Sequence, residues 1–301
     1  MLPTTGCARA LLTAAAIALS AQALAFDGIR LTLLGTGSPH QGGAHPGPAT
    51  LIEAGAEVLL IDCGPGTLQR LGEAGVALSE LTAMFLTNLD SAHISGCREL
   101  WDARHRAGRP LPPVWGPQGT RALLRDVDRE HDASGQSTDA HDVADNVTYQ
   151  PEGVTVTAFV TDYPLTAQAL GYRIDANRRS VTVSGNTRYS ENLIRYARGA
   201  HVLVHEVAAA SAQSLAGPDV QRIVEMHTSP EDAGKVFRAA RPYLAVYSHI
   251  MLFGMSEEEL MRRTRRSYRG AVEIGRDLMV IEVQNEVQVR SSPSDGPRAG
   301  E

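Results

Sequence analysis

Histidines, carboxylates and amides gather where apolar segments of this chain run out. The segment Phe85-Leu-Thr-Asn88-Leu-Asp90-Ser-Ala92-His93-Ile-Ser-Gly96 starts as an apolar strand and opens into a polar loop. Val202 to Val204 leads into His205-Glu206, and Leu244 to Tyr247 leads into Ser248-His249. His227 stands directly before Thr228-Ser229-Pro230-Glu231-Asp232. An imidazole titrates near neutrality, so such a residue can carry a proton or hold a metal through its neutral nitrogen.

These residues need a scaffold of strands and helices. Ile29 to Leu34 reads as a strand ending at the Gly35-Thr-Gly37 turn, and 49–53 with 57–61 reads as a hairpin around Gly55. Helices are expected at 67–74, 96–107, 117–130 and 190–197, and strands at 83–86, 110–115, 154–160, 169–174 and 181–183. Thr228-Ser229-Pro230-Glu231-Asp232 is a helix start, with a hydroxyl cap, Pro in the first turn and acids at the positive end of the dipole. The polar stretch 131–146 is expected to be a flexible lid or insertion whose His131 and His141 could reach the pocket mouth. Two strand-rich halves, each followed by helices, with no repeat or linker between them, suggest one α/β domain.

Composition narrows the setting. The chain has 301 residues, 43% of them hydrophobic, enough for a large core. Met1 to Ala25 combines Arg9, a short Ala- and Leu-rich run and Ala23-Leu-Ala25, the pattern of a cleaved secretory signal. The domain is expected over 26–288 and a disordered tail over 289–301. Removing residues 1–25 leaves 28 − 1 = 27 basic residues against 34 acids, a net charge of −7. With no basic cluster, nucleic acid is not expected as the partner. Cys63 and Cys97 would remain; an oxidising compartment permits a disulfide between them, and two buried thiols are the alternative.

Eight ordered segments carry a family resemblance: Leu34–Pro39, Asp62–Gly64, Thr87–Gly96, Ala169–Ile174, Ser184–Arg188, Val204–Glu206, His227–Pro230 and Tyr247–His249. Together they resemble metallo-β-lactamase-fold hydrolases, in the branch of RNase Z and the periplasmic arylsulfatase-like proteins. The resemblance implies a four-layer αββα sandwich and a pocket that in this family holds two metal ions. The family loop reads T-H-x-H-x-D-H-x-x-G; here its ligand positions hold Asn88, Asp90 and Ala92, and His93 alone is retained. The middle-strand His falls on Tyr163, the bridging Asp on Asn186, and the late His is His249.

Five of the seven ligand positions thus differ. A single divalent ion, zinc first, on His93, His249 and Asp90 is the metal arrangement these residues allow; no metal at all is the other expectation. Asn88, Tyr163 and Asn186 are polar replacements that would line a ligand pocket. By resemblance, Glu206 orients His227 as a general acid, with Asp90 nearby as a third catalytic candidate. The function expected is a secreted protein that binds a small polar or anionic ligand with weak ester hydrolysis. A non-catalytic binding module and an ordinary zinc-dependent arylsulfatase or phosphodiesterase are the alternatives. No membrane insertion is expected after signal cleavage.

Overall fold

The structure, a computed structural model, describes residues 26–38, 45–109, 111–131 and 137–290. The expected signal segment, residues 1–25, and the residues after Arg290 lie outside the described residues. The first half of the chain gives β1 (Ile29–Gly35), β2 (Ala49–Ala54), β3 (Glu57–Ile61), α1 (Thr67–Glu73), β4 (Ala83–Phe85), α2 (Ser91–Ile94), α3 (Cys97–Arg106), β5 (Val114–Gly116), α4 (Thr120–His131) and β6 (Ala140–Asp142). Then follow β7 (Asn146–Tyr149), β8 (Val154–Val160), β9 (Leu170–Ala176), β10 (Arg179–Val183), α5 (Glu191–Ala197), β11 (Val202–Ala210), α6 (Pro218–Met226), α7 (Pro230–Ala240), β12 (Leu244–Phe253), α8 (Glu257–Thr264), β13 (Val272–Ile274), β14 (Met279–Val283) and β15 (Val287–Arg290).

Two sheets form, in the orders β15-β14-β1-β2-β3-β4-β5-β6 and β13-β12-β11-β10-β9-β8-β7. Side chains alternate across each strand, so each sheet feeds two apolar layers. In β3, Leu59 and Ile61 enter the core between the sheets, while Leu60 packs outward with Leu71, Leu100, Trp101 and Leu124 of the helices. In β12, Leu244 and Val246 face the other sheet, while Ala245 and Tyr247 meet Phe237, Ala240 and Leu260. Helices therefore cover both outer faces, and the expected αββα sandwich is what the chain forms.

Several expectations need correction. The presumed lid is partly regular: β6 pairs with β5 through Val114↔Ala140, and β7 pairs with β8 through Asn146↔Ala158. Backbone pairing on two sheet edges orders this polar stretch, of which residues 132–136 lie outside the described residues. Regular pairing reaches Arg290, where β15 meets β14 through Val280↔Arg290. Strands β11 and β12 extend well past 204 and 247; their polar residues masked strands that pair with each other as far as Ala210↔Phe253. His205 therefore does not end its strand. Helix α8 is a further element, capped by Ser256, whose side chain accepts from the backbone N–H of Glu259.

Candidate functional site

The polar residues meet at the strand ends between the two sheets. Asp62, just past β3, has φ of 59°, and His249, within β12, has φ of 45°. Left-handed backbone is costly for such residues and clusters at functional sites. The cause at His249 is a bulge: His205 pairs with Tyr247 and Val207 with Ile250, so Glu206 alone faces Ser248 and His249. The extra residue bends the strand and re-aims its side chains.

Asp62 organises the loop that follows β4. One carboxylate oxygen accepts the Thr87 backbone N–H at 2.8 Å; the other accepts the Thr87 hydroxyl at 2.8 Å and faces His93 Nδ1 at 2.8 Å. Asp62 is 4% exposed, Thr87 is fully buried and His93 is 1% exposed. The loop is also tied by backbone, Cys63 N–H to His93 carbonyl at 2.8 Å and Gly96 N–H to Cys63 carbonyl at 2.9 Å. A Cβ at Gly96 would stand 2.1 Å from the Gly64 carbonyl oxygen, so no larger residue fits that contact. Cys63 and Cys97 form a disulfide across the same junction, with Cα atoms 5.1 Å apart, inside the usual range.

Nδ1 of His93 faces Asp62, and its Nε2 lies 3.0 Å from Asn186 Oδ1. A neutral imidazole takes the amide N–H there, and an imidazolium gives its proton to the amide oxygen. Either way Nε2 is engaged. Asn186 reaches this position from β10 through Gly185, whose φ is 61° and where a Cβ would meet the Leu170 carbonyl oxygen at 2.3 Å. The Asn186 carbonyl is held by the Thr161 hydroxyl at 2.8 Å.

Asp90 does not join His93 and His249. Its carboxylate accepts the Tyr163 hydroxyl at 3.2 Å, and its backbone N–H donates to Asn88 Oδ1 at 2.9 Å, closing a local turn. Burial, then the negative charge of Asp90, raises the Tyr163 phenol well above its ordinary pKa, so it stays a donor. The expected metal set of His93, His249 and Asp90 is therefore not brought together.

A different set is. One donor atom each from Glu206, His227 and His249 lies within 4.8 Å of the others, the one such group among the described residues. His227 Nδ1 is 3.1 Å from Glu206 Oε2, and Glu206 Oε1 accepts the Thr228 backbone N–H at 2.8 Å. Ring centroids are 5.8 Å apart for His227 and His249 and 5.2 Å for Tyr163 and His227. His205 faces the other way, its ring edge-on to Phe237 at 5.5 Å, and desolvation lowers its pKa. A cavity of about 30 Å³ touches Asp62, His93, Glu206, Ser248 and His249, room for a water or two.

His141 is turned away from the site, stacked on Trp115 at 4.9 Å and 2.9 Å from Asp139; the side chain of His131 lies outside the described residues. The sequence did not flag Asp277. It accepts the Thr36 backbone N–H and hydroxyl at 2.9 and 2.8 Å and faces His45 Nδ1 at 2.9 Å. Thr36 in turn receives the Ile250 N–H at 3.0 Å, so Asp277 braces the residue next to His249. No motif announces this pairing across 241 positions.

Comparison with known proteins agrees with this architecture. The family profile described as the Beta-lactamase superfamily domain matches residues 58–250. Ribonuclease Z of Mycolicibacterium paratuberculosis is 32% identical over 275 residues, 85% of this chain and 98% of that protein. Ribonuclease Z of Mycobacterium bovis is 30% identical with the same coverage of both chains. Among solved structures, the metallo-β-lactamase fold protein YhfI from Bacillus subtilis superposes with a TM-score of 0.71 at 19% identity, covering 85% of this chain and 99% of its own. The short form of human tRNase Z follows with 0.67 at 20% identity, over 85% and 99%. At those identities the structural likeness speaks for the fold, and the ribonuclease Z relatives and the profile speak for descent. The chain belongs to the metallo-β-lactamase superfamily of hydrolase-fold proteins, in its RNase Z-like branch.

Proposed function

We propose that this protein is a secreted member of the superfamily in which a hydrogen-bonded polar network has taken the place of the dinuclear metal centre. It binds a small polar or anionic ligand and supports at most slow ester hydrolysis. The observation that carries this reading is the environment of His93: Asp62 lies 2.8 Å from one ring nitrogen and Asn186 3.0 Å from the other. The superfamily usually holds zinc, and two ions need anionic charge between them. An amide at Asn186 supplies none, and Asp90 is committed to Tyr163. Dinuclear zinc does not fit this donor set.

The remaining chemistry lies with Glu206 and His227. The carboxylate accepts the Nδ1 proton at 3.1 Å and fixes the imidazole tautomer. Nε2 of His227 is then the atom that holds or releases a proton toward a bound ester's leaving group. Asn88, Tyr163 and Asn186 are bonded to Asp90 and His93 within the network, and a ligand would engage them by exchanging those bonds. The signal pattern of residues 1–25 and the Cys63–Cys97 pairing support a periplasmic or secreted location. A second reading, a nuclease acting on RNA, is favoured by 32% identity across nearly the whole of a ribonuclease Z.

The test compares this protein with a variant carrying Asn88→His, Asp90→His, Ala92→Asp, Tyr163→His and Asn186→Asp. Both are assayed on aryl sulfate, a phosphodiester and a tRNA precursor, with zinc and with chelator. The proposal expects slow, chelator-insensitive turnover by the unmodified protein and zinc-dependent turnover by the variant. Fast, chelator-sensitive hydrolysis by the unmodified protein would overturn it, and cleavage of the tRNA precursor would favour the nuclease.

A further inference from the structure

Beyond that reading, which it rests on for the absence of a dinuclear centre, we infer that Glu206, His227 and His249 form a site for one divalent transition-metal ion. The site is displaced from the family's ligand loop and uses neither Asp90 nor His93.

Three observations lead there. The three side chains are 2%, 7% and 6% exposed and place one donor atom each within 4.8 Å of the others. Two imidazoles with one carboxylate is a workable set for zinc and its neighbours, with open positions left over. The Glu206 Oε2 to His227 Nδ1 separation of 3.1 Å is close to the roughly 3.3 Å edge of a tetrahedron built on 2.0–2.1 Å bonds. Glu206 and His249 both line the small cavity.

Charge is the second argument. Asp62 and Glu206 both touch the small cavity, 4% and 2% exposed, and neither Lys nor Arg is among its lining residues. Imidazoles of His93 and His227 are the partners these two carboxylates have, and a divalent ion on Glu206 would add compensating charge in so dry a place. The third argument is support around the ligands. Glu206 Oε1 is fixed by the Thr228 N–H at 2.8 Å, leaving Oε2 to bind. The bulge at Ser248–His249 sets the second imidazole against it. Such outer hydrogen bonds orient metal ligands.

The full chain as purified is stripped with chelator, dialysed and titrated with zinc alone by calorimetry. Bound metal is counted by elemental analysis, and Tm is measured with and without zinc. One equivalent is expected, with a rise in Tm. Glu206→Gln, His227→Gln and His249→Gln should each weaken binding by roughly tenfold or more and abolish the zinc-induced rise, while Asp90→Asn should bind as the parent does. Tm without zinc and circular dichroism identify any variant that has lost its fold, and the other two substitutions then carry the comparison. No binding, or one equivalent lost with Asp90→Asn and kept by the three variants, overturns the inference and leaves the proposed function standing. Two equivalents bound by the unmodified protein would overturn both.

Discussion

Replacing Asp62 by Ala should be among the most damaging single changes to this domain, and its cost can be worked from three bonds. The carboxylate accepts from the Thr87 N–H, the Thr87 hydroxyl and His93 Nδ1, each at 2.8 Å. Both partner residues are at most 1% exposed, so water cannot replace the lost acceptor. An orphaned buried donor costs about 1–3 kcal/mol. The hydroxyl can rotate toward another acceptor, but the Thr87 N–H and His93 Nδ1 cannot, so the sum falls at about 2–6 kcal/mol. For a domain of this size each kcal/mol lowers Tm by about 2–4 °C, so calorimetry should register a fall of about 4–24 °C. Asp62→Asn keeps one acceptor and should lose roughly half as much. The control is Asp175→Ala, which removes a half-exposed partner of Arg173 and should cost only about 0–1 kcal/mol. Equal melting temperatures for Asp62→Ala and Asp175→Ala would refute the claim that this carboxylate holds the loop.

Two further outcomes follow from other parts of the fold. The Cys63–Cys97 bond spans a sequence separation of 34, so replacing both residues with Ser should cost about 3–4 kcal/mol by denaturant titration; rapid alkylation of both positions without reductant would contradict the pairing. Burial raises the phenol of Tyr149 to about 12, with Glu57 adding to it, and raises Tyr163, Tyr172 and Tyr247 as well. Their unfolded pKa is about 10, so the folded state binds more protons above that value and stability falls as pH climbs from about 10 toward 12. That contribution is fully present below pH about 10. Tyr149→Phe should flatten the alkaline loss in a series of melts; an unchanged slope would show that Tyr149 contributes nothing to it.

The layered fold was legible because its signals are local. Alternation in Ile29-Arg30-Leu31-Thr32-Leu33 assigns residues to two faces before any partner is known, and Ser229-Pro230 marks where α7 begins. The readable pieces stop where polar residues are buried inside strands. His205-Glu206 and Ser248-His249 looked like strand ends, yet both strands continue beyond them. Neighbouring parallel strands satisfy the backbone there, and that pairing leaves no local trace in the sequence.

The same division runs through the site. Sequence alone determined which side chains were available: the His, Glu, Asn, Tyr and Asp residues at the ends of apolar runs, and the mismatch between Thr87–Gly96 and the family's metal loop. Tertiary structure decided which of them meet. Asp90 lies within three residues of His93 in the chain, but its carboxylate is taken by Tyr163, 73 positions away. His93 is sealed between Asp62 and Asn186, and Glu206, His227 and His249 converge from two strands and a helix entry. Spacing along a chain fixes direction only within one element. Which donor atoms share a cavity is set by sheet order, a bulge and the bend at Asp62, all of which exist only once the strands have paired.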